Sequence, residues 1–141
     1  MPDRIQLSRA KGWRMPPNTV KVDRRTIWGN PWGVGPNRGY SVPMSVSPWW
    51  LHLELFIEAA PLTADVAVAA FRAMLAGEPL APALLPMNPT PDERNRVMRD
   101  LSIRREQLLS RLPELRGKNL ACWCKPGCAC HADVLLEMAN A

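Results

Sequence analysis

The chain predicts an α/β fold: a small Rossmann-like domain, three-layer or two-layer, with a short, mostly parallel sheet flanked by helices. Three observations predict it. The segment Asn119–Trp123 has the pattern of a buried strand and runs through a tight cysteine-rich turn into a helical stretch ending near Asn140. That order is one half of a βαβ-type unit. Two short alternating segments near the amino terminus supply further strands, and amphipathic helical stretches occupy the middle. A chain of 141 residues suits a single domain spanning 1–141 and needs neither disulfides nor a metal merely to bury a core. Within it lie a basic strand and loop region (1–43), a helical middle (48–112) and the strand–loop–helix motif (119–140).

The elements follow in order. Arg4–Ser8 alternates, with Ile5 and Leu7 on one side, and Thr19–Asp23 does the same with Val20 and Val22. Lys11–Asn18, with Gly12, Pro16 and Pro17, is the turn between them. Residues 28–43 are too rich in Gly and Pro for regular structure, and Trp28, Trp32 and Tyr40 favour an ordered loop. Helices are expected at Trp49–Ala60, with Trp50, Leu53 and Ile57 on one face, and at Ala64–Ala76, with Ala67, Ala70, Phe71 and Met74, closed by Gly77. Glu78–Pro91 holds five prolines and reads as a surface loop. Thr90-Pro91-Asp92-Glu93 is a capping box that opens a helix to about Arg111, with Val97, Leu101, Leu108 and Leu112 near one stripe and arginines elsewhere. Pro113 should break it. In the last helix Val134, Leu135 and Met138 should face the core, and Asp133 sits in the first turn, where a carboxylate suits the positive helix end.

Charge and localisation narrow the function classes. No stretch reaches the roughly 20 apolar residues that span a bilayer, and the amino terminus lacks the apolar region of a secretory signal. A cytoplasmic protein with no membrane partner is expected, and four cysteines there read as metal-binding or reactive thiols. Residues 1–40 carry eight Lys/Arg against two Asp, whereas the rest carries ten against eleven Asp/Glu, so the whole positive surplus is amino-terminal. Such a surplus suits a phosphate-bearing partner: a nucleotide or nucleoside ligand, or nucleic acid held through basic residues 1–40.

The candidate chemistry lies in Cys122-Trp-Cys124-Lys-Pro-Gly-Cys128-Ala-Cys130-His131-Ala-Asp133. On a strand, Cys122 and Cys124 share a face while Trp123 points away. Three readings are open. Cys122, Cys124, Cys130 and His131 can supply the four ligands of a zinc site, although the spacing is not the usual C-x2-C pair. Alternatively, a thiol at a helix amino terminus near Lys125 is acidified, so that Cys124 or Cys130 serves as nucleophile, His131 as proton carrier and Asp133 as its orienter or a sugar-hydroxyl ligand. The third reading is buried packing, since cysteine is a small hydrophobe; singly, Cys122 and Cys128 favour it. Trp28-Gly29-Asn30-Pro31 offers a stacking ring, a residue free to take positive φ, an amide and a stiff exit. A structural tight turn competes there with a binding loop. As a binding site, Trp28, Gly29 and Asn30 would hold base or sugar, with Arg9 among the cations for phosphate.

The W-G-N-P block at Trp28–Pro31, the L-R-G-K turn at Leu115–Lys118 and the C-x-C…C-H-x-D-V-L run at Cys122–Leu135 together resemble domain of unknown function family 4326, small proteins of bacteria and phages. The matching residues are Trp28, Gly29, Asn30, Pro31, Cys122, Cys124, Cys130, His131 and Asp133. The tail is also similar to domain of unknown function family 488, where an acid stands at the place of Cys124. That likeness implies a Rossmann-like nucleotide pocket rather than a zinc knuckle. Here the loop between Cys124 and Cys130 is one residue longer and carries Cys128, and residues 41–90 form a longer middle. The resulting expectation is a protein that binds a nucleotide or nucleoside and acts on it, at the glycosidic bond or by related transfer. The alternative is a zinc-stabilised basic module that holds nucleic acid without catalysis.

Overall fold

The structure, a computed structural model, describes residues 2–32, 63–78 and 91–141. The expected helix at 49–60, Tyr40, the proline-rich loop at 79–90 and the capping-box side chains of Thr90 and Glu93 lie outside the described residues. Within them the element order is β1 (Arg4–Gln6), β2 (Thr19–Lys21), α1 (Ala64–Ala76), α2 (Pro91–Arg111), a 3-10 turn (Leu112–Leu115), β3 (Asn119–Cys122) and α3 (His131–Ala139).

The three strands form one wholly parallel sheet in the order β1-β3-β2. The most apolar strand, β3, takes the centre, where both neighbours satisfy its backbone and a strand reads as a continuous apolar run. Arg4 and Val20 flank Leu120, and Ile5 and Lys21 flank Ala121. The ladder continues one step past each outer strand: Leu7 N–H donates to the Cys122 carbonyl and Val22 N–H to that of Ala121. Because side chains alternate, Val20, Val22, Leu120 and Cys122 share one face. The described helices gather on it, and the buried core joins Val22, Leu120 and Cys122 to Phe71, Leu75, Leu108, Val134 and Leu135.

Local chemistry explains the helix ends. Thr63 caps α1 by accepting the Val66 amide at 3.2 Å, and Gly77 closes it in the left-handed region at φ 74°. Arg105 Nε donates to the Leu75 carbonyl at 3.0 Å, meeting one of the acceptors left over at that end. Pro113 converts the end of α2 into the 3-10 turn, as its missing N–H requires. The arginines of α2 are not all on its solvent side. Arg104 is fully buried and donates to the Gly29 and Ile27 carbonyls, tying α2 to the loop after β2. No helix among the described residues is long and apolar enough to cross a membrane.

Candidate functional site

In a parallel sheet every strand delivers its carboxyl end to the same edge, and here β2, β3 and the amino terminus of α3 meet there. A cavity of about 420 Å³ opens at that edge, within the range of small-molecule sites, roughly 300–1,000 Å³. Asp23, Arg24 and Arg25 line it from the end of β2, and Cys122, Trp123 and Cys124 from the end of β3. Ala129, Cys130 and His131 add the start of α3, and Asn30, Trp32, Ala64, Ala67 and Val68 complete the wall.

Three of the four sulfurs converge. The Sγ atoms of Cys122, Cys124 and Cys130 all lie within 4.8 Å of one another, and those of Cys122 and Cys130 are 2.8 Å apart. β3 ends at Cys122; the bend at Trp123 and Cys124 and the turn after it bring Cys124 and Cys130 back beside Cys122, with Cys130 standing as the N-cap of α3. Cys128 is exposed, outside the cluster, which corrects its reading as a buried hydrophobe. The cluster can hold a metal ion: tetrahedral thiolates about 2.3 Å from zinc would stand about 3.8 Å apart. His131 does not join it.

The sulfurs divide their protons unequally. Hydrogen bonds from the Cys122 and Cys130 thiols, helped by the charges of Arg4 and Arg24 and opposed by burial, hold Cys124 down to about 3. Donation to Cys124 and Cys130, with burial, drives Cys122 the other way. The arrangement therefore favours one thiolate, at Cys124, held by two neighbouring thiols.

The other candidates separate. His131 is buried; its Nε2 lies 2.5 Å from the Val22 carbonyl, which can only accept, so Nε2 carries the proton. In the neutral ring Nδ1 is then the acceptor, 3.9 Å from Cys130 Sγ, and the Phe71 ring packs edge-on. A backbone carbonyl thus fills the orienting role expected of Asp133. Asp133 instead points to Arg4, 3.2 Å away, and is not in the cavity wall. Lys125 joins the site through its carbonyl, which accepts from Arg4, and its side chain is not in the wall. Arg9 is also outside, stacked 5.0 Å over the exposed Trp123 ring.

The W-G-N-P segment is a packed turn. Trp28 is buried in the core, with Arg111 6.0 Å from its ring, so it is not placed to stack on a ligand. Gly29 does not take positive φ. Its need is close approach: a Cβ there would stand 2.6 Å from Arg24 Cα and 2.9 Å from the Asp23 carbonyl oxygen. Asn30 lines the cavity, but its amide serves the fold, donating to the Ala67 carbonyl at 2.9 Å and accepting the Trp32 amide at 3.0 Å.

The set of site residues expected from the sequence lacks Arg4, Asp23, Arg24, Arg25 and Trp32. Arg4 donates to the Cys128 and Lys125 carbonyls and to Asp133, clamping the cysteine turn onto β1. Asp23 and Trp32 stand in the cavity wall. The available signal was position: a carboxylate just past a parallel strand lies where ligands collect.

The profile of the family described as Domain of unknown function (DUF4326) matches residues 5–141. The chain belongs to that family. The match takes in all three strands apart from Arg4, the cysteine cluster and the W-G-N-P turn, and every residue named in the cavity wall lies within it. Comparison with curated proteins and with solved structures gives no match.

Proposed function

We propose that this DUF4326 protein binds a nucleotide or nucleoside in the cavity at the strand carboxyl ends and acts on it through Cys124. One observation carries the reading: a single cavity of nucleoside-compatible size has the guanidinium-bearing Arg24 and Arg25 and the three-sulfur cluster in its wall. The arginines suit a phosphate, and the sulfur end suits the reacting bond. In glycosidic-bond chemistry the Cys124 thiolate attacks the sugar carbon. The carbon–nitrogen bond breaks with its electron pair leaving on the base, which takes a proton from water. The hydroxide left by that transfer then attacks the same carbon, and the sulfur departs as thiolate. In this reading His131 accepts the Cys130 proton through Nδ1, 3.9 Å from that sulfur, as charge shifts within the cluster.

The test is thermal-shift screening with nucleotides, NAD and ADP-ribose, followed by turnover assays on Cys124→Ser. A ligand that raises the melting temperature, and a Ser variant that binds but does not turn over, are expected. If no such ligand stabilises the protein, the reading is wrong.

The convergence of Cys122, Cys124 and Cys130 favours a second reading, in which they hold zinc. Three protein sulfurs beside a cavity leave a fourth position for water or substrate, the pattern of a catalytic rather than a closed structural site. Zinc bound there would supply a Lewis acid. In its non-catalytic form this reading is a basic module that holds nucleic acid through residues 1–40. Elemental analysis of freshly purified protein separates the readings: about one zinc per chain supports the second, and none supports the first.

A further inference from the structure

The carboxylate of Asp23 has a half-finished hydrogen-bond set. The residue is 8% exposed. Oδ2 accepts the Trp123 indole N–H at 3.2 Å, while the Asp23 backbone carbonyl accepts the Thr26 amide at 3.0 Å and hydroxyl at 2.9 Å. Gly29 closes onto the same carbonyl, so the residue is fixed from three sides. Oδ1 is buried with no hydrogen-bond partner. A buried carboxylate oxygen left unmet is costly, and native structures retain few of them. This one belongs to a residue in the cavity wall, one and two positions before Arg24 and Arg25.

We infer that Asp23 is the specificity-determining residue of the cavity, and that Oδ1 accepts a hydrogen bond from an O–H or N–H donor of the bound ligand. This rests on the nucleotide reading above and narrows it. The ligand class is a nucleotide with a neutral donor within reach of its phosphate: a sugar hydroxyl or an exocyclic amine on the base. A phosphate oxygen cannot take that place, because two acceptors would face each other. The Trp123 N–H keeps the carboxylate in one orientation, so donor position as well as donor presence is selected.

The experiment is a cycle of binding titrations with the full chain. The probes are AMP, 2′-deoxy-AMP, 2′,3′-dideoxy-AMP and IMP, which lacks the exocyclic amine; the proteins are the parent and Asp23→Asn. In the parent, removing the donor that Oδ1 uses should weaken binding roughly ten- to a hundredfold. Loss with the deoxy probes identifies the sugar, and loss with IMP the base. In Asp23→Asn the same ligand change should have almost no effect, which isolates the pair. A parent that binds all four probes alike, or a variant that keeps the parent's discrimination, overturns the assignment while leaving the nucleotide reading standing. A parent that binds none removes both. Should Asp23→Asn not fold, Asp23→Ser takes its place in the cycle with the same expected result.

Discussion

At the scale of single residues the site depends on one negative sulfur and one cation behind it. Cys124, held to about 3 chiefly by the thiols of Cys122 and Cys130, is ionised at pH 5, where about one ordinary free cysteine in a few thousand is. Alkylation by iodoacetamide should therefore remain nearly constant between pH 5 and 8 at Cys124, as peptide mapping of the labelled site would read. A rate there that climbs tenfold per pH unit would show that the thiolate is not stabilised. Arg4 is the cation, with a largely covered side chain and donors on Cys128, Lys125 and Asp133. Arg4→Gln should cost about 1.5–3 kcal/mol of stability by urea titration, the range for hydrogen bonds involving charged groups, and should expose the 125–128 turn to limited proteolysis. The cluster was legible in the sequence because Cys122, Cys124 and Cys130 lie within nine residues, on either side of a tight turn between strand and helix. Arg4 was not, since it reaches the turn only after β1 pairs with β3, more than a hundred positions away.

At the scale of elements, the turn after β2 and the helix α2 hold the cavity wall in place. Gly29 lets that turn lie against the Asp23–Arg24 backbone. Gly29→Ala forces backbone to move and should destabilise by about 1–3 kcal/mol, the usual cost of overpacking. Calorimetry would show the fall in Tm, and an unchanged Tm would mean that the turn is free to yield. Asp100, on α2, is buried, and loss of solvent raises its pKa above the ordinary carboxylate value against the pull of Arg99 and Arg96. A carboxyl group with a raised folded-state pKa lowers stability at neutral pH, and the penalty fades as pH falls through that pKa and then the unfolded one. Asp100→Asn should thus raise Tm by a few degrees at pH 7 and lose the advantage near pH 3. An advantage that grows in acid would reverse the assignment. Periodicity made α1, α2 and α3 readable, but a stripe of leucines does not show which arginine of α2 turns inward. Arg104 does so because the Ile27 and Gly29 carbonyls require a donor, a need created by the turn packing from another part of the chain.

At the scale of the molecule, the question is whether the sulfur cluster holds the fold or the fold holds the cluster. A zinc-dependent module has too little apolar surface to fold alone, so its metal-binding energy is its folding energy. This chain has a core that does not need the cluster: Phe71, Leu75, Leu108, Leu115, Leu120, Leu135 and Val134 are all fully buried side chains from α1, α2, the 3-10 turn, β3 and α3. The parallel order β1-β3-β2 follows from the apolar centre strand, which is why the α/β class could be read from the sequence, whereas the sequence left Trp28 open between a packed turn and a binding loop. Its ring belongs to that same core, and proximity to the basic strand in sequence said nothing about which way it faced. A core of this size predicts that incubation with EDTA leaves the far-UV circular dichroism spectrum and the cooperative thermal transition in place, whether or not metal is removed. Only ligand binding or turnover would then respond to the chelator. Loss of the cooperative transition on chelation, regained with added zinc, would make the cysteines the foundation of the fold and place the nucleic-acid module ahead of the nucleotide cavity.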